Sequence, residues 1–398
     1  MSVPDRPEVV FIPGDGIGPE VMFPAIEAVD AAVRGAYGGG RAIRWTEAWA
    51  GKRAMAEHGS PLPEPTLAAI RRARVALKGP LETPVGGGIR SLNVALRKIL
   101  DLYACVRPVR YYPGVPSPMR HPERVDLVLF RENTEDVYAG YEWQEGTPEA
   151  LRVIRFLNQE MACSIPEDSG VGIKPMSVTG SKRLIRMAIR YALDRGRRSV
   201  TLVHKGNIMK YTEGAFRRWG YEVAAREFSE HTITEAELRG REHGSDYDGV
   251  TPPGAVVVND RIADAMFQEL ILRPERYDVL ALSNLNGDYM SDAAAALVGG
   301  LGLAPGANLG DEYAVFEATH GTAPDIAGQG RANPGSLMLS GAMMLRHLGW
   351  EEAADRLEGA VTRVLAARRL TPDLAPQVPG AEELDTAAFG RAVAAEAA

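Results

Sequence analysis

Asp288 and Asp292, in YDVLALSNLNGDYMSDAAAALVGG, stand four residues apart where a strand-like run passes into a helical one. That spacing puts both carboxylates on one helix face. Two anions on adjacent turns repel unless a cation lies between them. A hard divalent ion such as Mg²⁺ or Mn²⁺ suits the pair, since it takes oxygen ligands and keeps positions open for substrate oxygens. The alternative is that Asp292 merely complements a helix dipole. Asp264, in DRIADAMFQEL, is a third candidate ligand, although alone it reads as a helix-surface residue.

The segment LKGPLETPVGGGIRSLNVALRKILDLYACVRPVR carries the opposite chemistry. Gly86, Gly87 and Gly88 precede a helix beginning near Ser91, so free backbone N–H groups and the positive helix end face whatever lies there. Asn93 and Arg97 share one face of that helix, Arg107 and Arg110 follow on an extended run, and Arg131 adds a cation at a strand end. A single arginine is ordinarily a solvated one. Several guanidinium groups beside a glycine run point to a substrate with more than one carboxylate, because each binds a carboxylate bidentately.

Lys205 in VHKGNIMK and Tyr138 in VYAGYE are polar groups beside glycines near element ends, and in isolation each reads as structural or solvated. The loop in FEATHGTAPDIAGQGRANPGS is too long and too poor in apolar residues to be core. Its His320, Asp325 and Asn333 could hydrogen-bond a ribose or adenosine. Gly14, Gly16 and Gly18 lie between a strand and a helix, but G-x-G-x-G is not the Rossmann spacing, and no acidic residue follows about twenty positions on. A tight structural turn and a cofactor-facing loop both remain open for them.

These side chains must be held by an α/β framework. Short apolar runs at Glu8 to Ile12, Val75 to Lys78, Asp126 to Phe130, Ser199 to His204 and Asp278 to Leu282 alternate with segments of helical period. The expected helices are Pro24 to Val33, Ser91 to Leu100, Gly180 to Arg195, Tyr211 to Trp219, Ile262 to Leu272 and Glu351 to Arg368. Loops are expected at Gln144 to Thr147 and at His231 to Gly254, the latter as a surface insertion.

At 398 residues, 45% hydrophobic and 24% charged, the chain can build substantial cores. Its net charge of -7 and lack of a basic run argue against nucleic-acid and membrane-surface partners. Two cysteines, Cys105 and Cys163, are too few for a disulfide framework. The N-terminus lacks the pattern of a signal peptide, and no apolar stretch reaches membrane-spanning length, so a cytoplasmic location is expected.

The motifs KGPLETPVGGGIRSLNVALRK, LYACVRPVRYYPG, FRENTEDVYAG, LVHKGNIMKYTEGAF, NLNGDYMSDAAAALVGG and FEATHGTAP together resemble the β-decarboxylating dehydrogenases, in particular bacterial homodimeric isocitrate dehydrogenases. The resemblance covers nearly the whole chain. It implies the isocitrate/isopropylmalate dehydrogenase-like α/β fold, distinct from the Rossmann fold. A large domain would comprise 1–103 and 296–398, a small domain 104–140 and 177–295, and a clasp 141–176. It further implies metal-dependent oxidation of isocitrate to 2-oxoglutarate and CO₂ in the tricarboxylic acid cycle.

Carried over residue by residue, the resemblance assigns the substrate carboxylates to Ser91, Asn93, Arg97, Arg107 and Arg131, and Mg²⁺ or Mn²⁺ to Asp264, Asp288 and Asp292. Tyr138 and Lys205 would be the acid/base pair, with Lys205 and Asp264 facing a partner subunit across a homodimer. Thr83, His320, Gly321, Ala323, Asp325, Ile326, Asn333 and Asp373 would meet the cofactor. NADP-linked bacterial members carry Lys and Tyr after HGTAP and a Tyr and an Arg flanking the C-terminal Asp. Here the corresponding residues are Asp325 and Ile326, and Pro372 and Pro376 around Asp373. A carboxylate accepts from ribose hydroxyls and repels a 2′-phosphate, so NAD is the expected cofactor. Ser91 and Asn93 favour isocitrate over 3-isopropylmalate or homoisocitrate. A regulatory subunit without turnover would have lost some of Tyr138, Lys205, Asp264, Asp288 and Asp292, and all five are present.

Overall fold

The structure, a computed structural model, describes residues 3–82, 91–241 and 253–398. Thr83 and the Gly86 to Gly88 run lie outside the described residues.

The strands that form the central sheet are β1 (Glu8–Ile12), β2 (Arg44–Glu47), β3 (Val75–Lys78), β4 (Ala104–Arg110), β5 (Asp126–Glu132), β8 (Ser199–His204), β9 (Thr232–Thr234), β10 (Val256–Ile262), β11 (Val279–Leu282), β12 (Pro305–Leu309) and β13 (Ala314–Ala318). A separate antiparallel pair, β6 (Tyr141–Trp143) and β7 (Val171–Ile173), stands apart. The eleven strands run in the order β2-β1-β3-β13-β12-β4-β5-β11-β8-β10-β9. Two parallel groups, β2-β1-β3-β13 and β5-β11-β8-β10-β9, flank antiparallel pairings of β12 with β13 and β4 and of β4 with β5. The first group draws on both ends of the chain and the second on its middle.

Strands buried on both faces need near-continuous apolar sequence, and β3, β8 and β11 are buried throughout. The helices begin where capping chemistry allows. Thr147 accepts from the Ala150 amide to open Pro148–Glu160, and Ser177 accepts from that of Gly180 to open Val178–Asp194. Gly18–Tyr37 starts earlier than the expected Pro24, because Pro19 occupies its first turn, where a missing N–H costs nothing. Glu213–Glu227 extends beyond the expected Trp219, since Val223 and Ala224 continue its buried face. The expected insertion at 231–254 is not wholly irregular: it contains β9 and the helix Glu235–Arg241, and 242–252 lie outside the described residues. No helix among the described residues is long and apolar enough to cross a membrane.

The glycines near the N-terminus form a structural turn. Gly14 and Gly16 have φ of +83° and +59°, and a Cβ on either would meet the carbonyl of Pro80 or Thr322 at 2.2 or 2.1 Å. The Asp15 amide donates to Pro80 O and that of Ile17 to Thr322 O, so the turn braces the long loop after β13.

Candidate active site

Arg107 lies on β4 and Arg131 near the end of β5, neighbours in the antiparallel centre of the sheet. Across both strands packs the helix Asn284–Ala296. Gly287 explains how the helix comes so close, since a Cβ there would stand 2.5 Å from Arg131 Cγ. Asp288 then meets the Arg131 guanidinium directly, and Arg131 also donates through Nε and Nη2 to Asn284 Oδ1 at 3.0 and 2.7 Å. One turn further on, Asp292 Oδ1 accepts from Arg107 at 3.1 Å, and Ser291 Oγ accepts from the same nitrogen at 2.5 Å.

Arg97 joins from the helix Leu92–Ile99, donating at 3.0 Å to Glu317 at the end of β13. The second oxygen of Glu317 pairs with Lys78 Nζ at 2.5 Å. Arg97, Arg107 and Arg131 are 9, 8 and 2% exposed, so these charges have left water and need partners. Burial, and then the like charges of Arg97 and Arg107, pull the Arg131 pKa down. Burial opposes ionisation of Glu317, yet Lys78 and Arg97 outweigh it and hold that carboxyl well below its usual range. Burial opposes ionisation of Asp288 too, but Arg131, the Tyr138 hydrogen bond, Arg107 and Arg97 together outweigh it and hold that carboxyl low, whereas burial raises Asp292.

Tyr138 sits in a short 3-10 turn, Asp136–Ala139, and donates to Asp288 Oδ2 at 2.6 Å. Burial and that hydrogen bond push its pKa up to about 12, so the phenol stays protonated at neutral pH. Asn93 Oδ1 and Arg97 Nε are buried without a hydrogen-bond partner among the described residues. Unsatisfied buried polar atoms are uncommon, and two on one helix beside a carboxylate-and-arginine cluster mark where a polar ligand fits. Ser91 opens the same helix.

Lys205 and Asp264 are not in this cluster. They pair with each other at 2.7 Å just beyond β8 and β10, with side chains 32 and 66% exposed. Lys205 holds the Asp264 carboxyl below its ordinary pKa. Among the described residues no three carboxylate, histidine or cysteine groups of one chain come together as a metal cluster. Asp288 and Asp292 nevertheless fit a hard divalent cation, since such an ion is commonly held by one or two protein carboxylates together with substrate oxygens.

The cofactor candidates gather elsewhere. Asn333 Nδ2 donates at 3.1 Å to Asp373 Oδ2, which brings the long loop and the C-terminal segment together. His320 Nε2 is enclosed without a partner among the described residues, and burial lowers the His320 pKa. Asp325 is exposed in the short turn Pro324–Ile326, after Ala323 at φ +38° and near the exposed Gly321. His320, Asn333 and Asp325 thus lie on one loop, the first enclosed at its Nε2, the second buried and the third exposed.

A sequence model described as isocitrate/isopropylmalate dehydrogenase matches residues 8–393. The chain belongs to the isocitrate/isopropylmalate dehydrogenase family. It is 55% identical over 393 residues to a protein of Archaeoglobus fulgidus named isocitrate dehydrogenase (NADP), covering 99% of this chain and 93% of the relative. A Pseudomonas aeruginosa protein of the same name is 54% identical, with 100 and 94% covered. The crystal structure of isocitrate dehydrogenase from Methylococcus capsulatus superposes with a TM-score of 0.80 at 39% identity, over 98% of this chain and 99% of that one. The family fold is therefore the one that the sequence motifs imply.

Lys78, Asn284, Ser291 and Glu317 escaped the sequence reading. Lys78 ends an apolar strand and Glu317 stands inside one. A charge within a buried strand is the signal that could have found them, since such a charge survives only when paired.

Proposed function

We propose that this protein oxidises isocitrate and decarboxylates it to 2-oxoglutarate and CO₂, using a nicotinamide cofactor and Mg²⁺ or Mn²⁺. The observation that carries this reading is the convergence of Arg97, Arg107 and Arg131 on the face that holds Asp288, Asp292 and Tyr138. The relatives named isocitrate dehydrogenase support it. With Lys78 and Glu317 the cluster has four cations against three carboxylates. A divalent ion raises that surplus of one positive charge to three, which a tricarboxylate neutralises.

When bound at Asp288 and Asp292, the metal would acidify the substrate hydroxyl and withdraw charge as CO₂ leaves. Arg97, Arg107 and Arg131 orient the carboxylates by bidentate hydrogen bonds, with Asn93 and Ser91 lending polar contacts that a 3-isopropylmalate site would not need. Tyr138, protonated at neutral pH, delivers the proton to C3 after decarboxylation. Lys205 serves the C2 hydroxyl and takes up its proton as the neutral amine, the form free of the ion pair with Asp264.

The separate position of the Lys205 and Asp264 pair supports a homodimer in which each site receives these two residues from the partner. Tyr141, Phe156, Met161 and Ile173 are exposed along 141–173, which suits that segment to the role of a clasp.

Two observations bear on the cofactor and point in opposite directions. Whole-chain similarity favours NADP, because the relatives cited above carry that name. The exposed Asp325 with Ile326 favours NAD, since cofactor choice rests on a few side chains at the ribose and a carboxylate there opposes a 2′-phosphate. On this local ground we infer NAD.

The test is initial rates with isocitrate and Mg²⁺ or Mn²⁺, comparing NAD with NADP and measuring released CO₂. Metal-dependent turnover of isocitrate, but not of 3-isopropylmalate or homoisocitrate, is expected. NAD should be preferred by about two decades, the scale set by one repulsive charge pair in an exposed groove. Preference for NADP would overturn the cofactor inference and leave the reaction standing. No turnover with either cofactor would remove the reaction.

A further inference from the structure

The turn that carries Tyr138, the backbone at Lys205 and the start of the helix that carries Asp288 are joined through one side chain outside the arginine cluster. Lys174 follows β7 at the base of the arm formed by β6, the helix Pro148–Glu160 and β7. Its ammonium lies 2.6 Å from Asp136 Oδ1 and 2.9 Å from Glu213 Oε1. Both carboxylates are 1% exposed.

Each carboxylate is also a hub for backbone or polar donors. Asp136 Oδ1 accepts the Val137 amide at 2.7 Å and Asp136 Oδ2 that of Leu285 at 3.0 Å. Asp136 itself holds a left-handed backbone, φ +66°, at the head of the Tyr138 turn, and its amide donates to Pro175 O at 2.9 Å. Glu213 Oε1 accepts from Ser283 Oγ at 2.9 Å, and Oε2 accepts the Lys205 amide at 2.7 Å and Asn286 Nδ2 at 2.8 Å.

We propose that Lys174 is a positioning residue: by bridging Asp136 and Glu213 it sets the Tyr138 turn, the Lys205 backbone and the first turn of helix Asn284–Ala296 in one register, tied to the base of the arm. Two buried carboxylates within hydrogen-bonding distance of one ammonium repel each other once it is removed. Their backbone donors must then shift, and displacement of about 1 Å in such a site is worth roughly 100-fold in rate. Through Pro175 and Lys174 the arm reports its own placement to the active site, so docking of the arm in a dimer would be felt at Tyr138 and Lys205.

This inference rests on Tyr138 and Lys205 being the acid/base pair, and the test separates the two. Hydrogen exchange of the ligand-free protein needs no turnover: Lys174→Met should speed exchange of the Val137, Lys205 and Leu285 amides by about tenfold or more, and Lys174→Arg should restore protection. In steady state, Lys174→Met should lower kcat by about 100-fold with little change in KM for isocitrate, the mark of lost positioning, and Lys174→Arg should recover most of it. Unchanged exchange at those three amides would overturn the proposal, as would a loss of kcat explained wholly by the fraction unfolded. Should Lys174→Met fail to fold, the near-isosteric Glu213→Gln carries the test, with faster exchange expected at Lys205 and unchanged exchange at Val137. Full activity in Tyr138→Phe and Lys205→Met would instead remove the acid/base reading, and the exchange result would still judge the bridge.

Discussion

Arg107 and Arg131 project from central strands of the sheet and, with Arg97, keep less than a tenth of their surface in water, whereas Asp325 stands exposed on a short turn of the loop after β13. Each guanidinium in the first region is itself buried and depends on the partners that hold it, because a buried charge tolerates neither loss nor movement of its partner. In the second region the exposed carboxylate makes no comparable demand, and a new side chain disturbs little else. On the proposed reading, the substrate face is therefore hard to change and the cofactor preference easy. That contrast explains how a chain can share half its residues with proteins named as NADP enzymes and still carry Asp325 and Ile326.

The harshest way to break this contrast is Arg131→Met. It leaves Asp288 and Asn284 without their buried partner, at a cost of about 3–5 kcal/mol in stability. Thermal melting should fall by several degrees, and kcat/KM for isocitrate by about two to three decades or more. Melting within a degree of the parent would show that the buried cluster is far less demanding than its geometry implies.

The loop predicts the reverse pattern. Asp325→Lys with Ile326→Tyr should move the NADP-to-NAD ratio of kcat/KM by about two decades while stability stays within about 0.5 kcal/mol. Paired rate and melting measurements check both halves. A large loss of stability would mean that the loop is as tightly built as the sheet.

The mildest effect is one of pH. Glu317 is ionised in the fold because Lys78 and Arg97 outweigh burial, so its folded pKa lies below the ordinary value of 4.5. Its contribution is thus complete above about pH 4.5 and is lost as pH falls from there towards the folded value. Glu317→Gln should melt below the parent at pH 7, and the gap should narrow as pH drops beneath about 4.5. A gap constant between pH 7 and the acid limit of folding would show that shape, not charge, holds Lys78 and Arg97 there.

Much of the candidate site was legible because the residue patterns that suggest it are local in sequence. Asp288 and Asp292 share a helix face by spacing alone, and Asn93 and Arg97 do the same. The helices were readable as apolar periodicity, though their ends shifted: Pro19 begins the first one before Pro24, and Val223 and Ala224 carry another past Trp219. Gly14 and Gly16 could not be assigned from sequence, since only the carbonyls of Pro80 and Thr322, distant in the chain, show that a side chain would not fit.

What the sequence by itself determined, then, is the set of candidate groups and the elements that carry them, because residue type and helical or strand period are properties of short segments. Tertiary structure alone decided that Glu317 would join Lys78 to Arg97, that Gly287 would let Asp288 reach Arg131, that Lys205 and Asp264 would pair apart from the cluster, and that Lys174 would bridge Asp136 and Glu213. These are contacts between segments tens to hundreds of residues apart. Their partners are chosen by which strands the sheet makes neighbours and by the need to neutralise every charge it buries, and no local pattern records either.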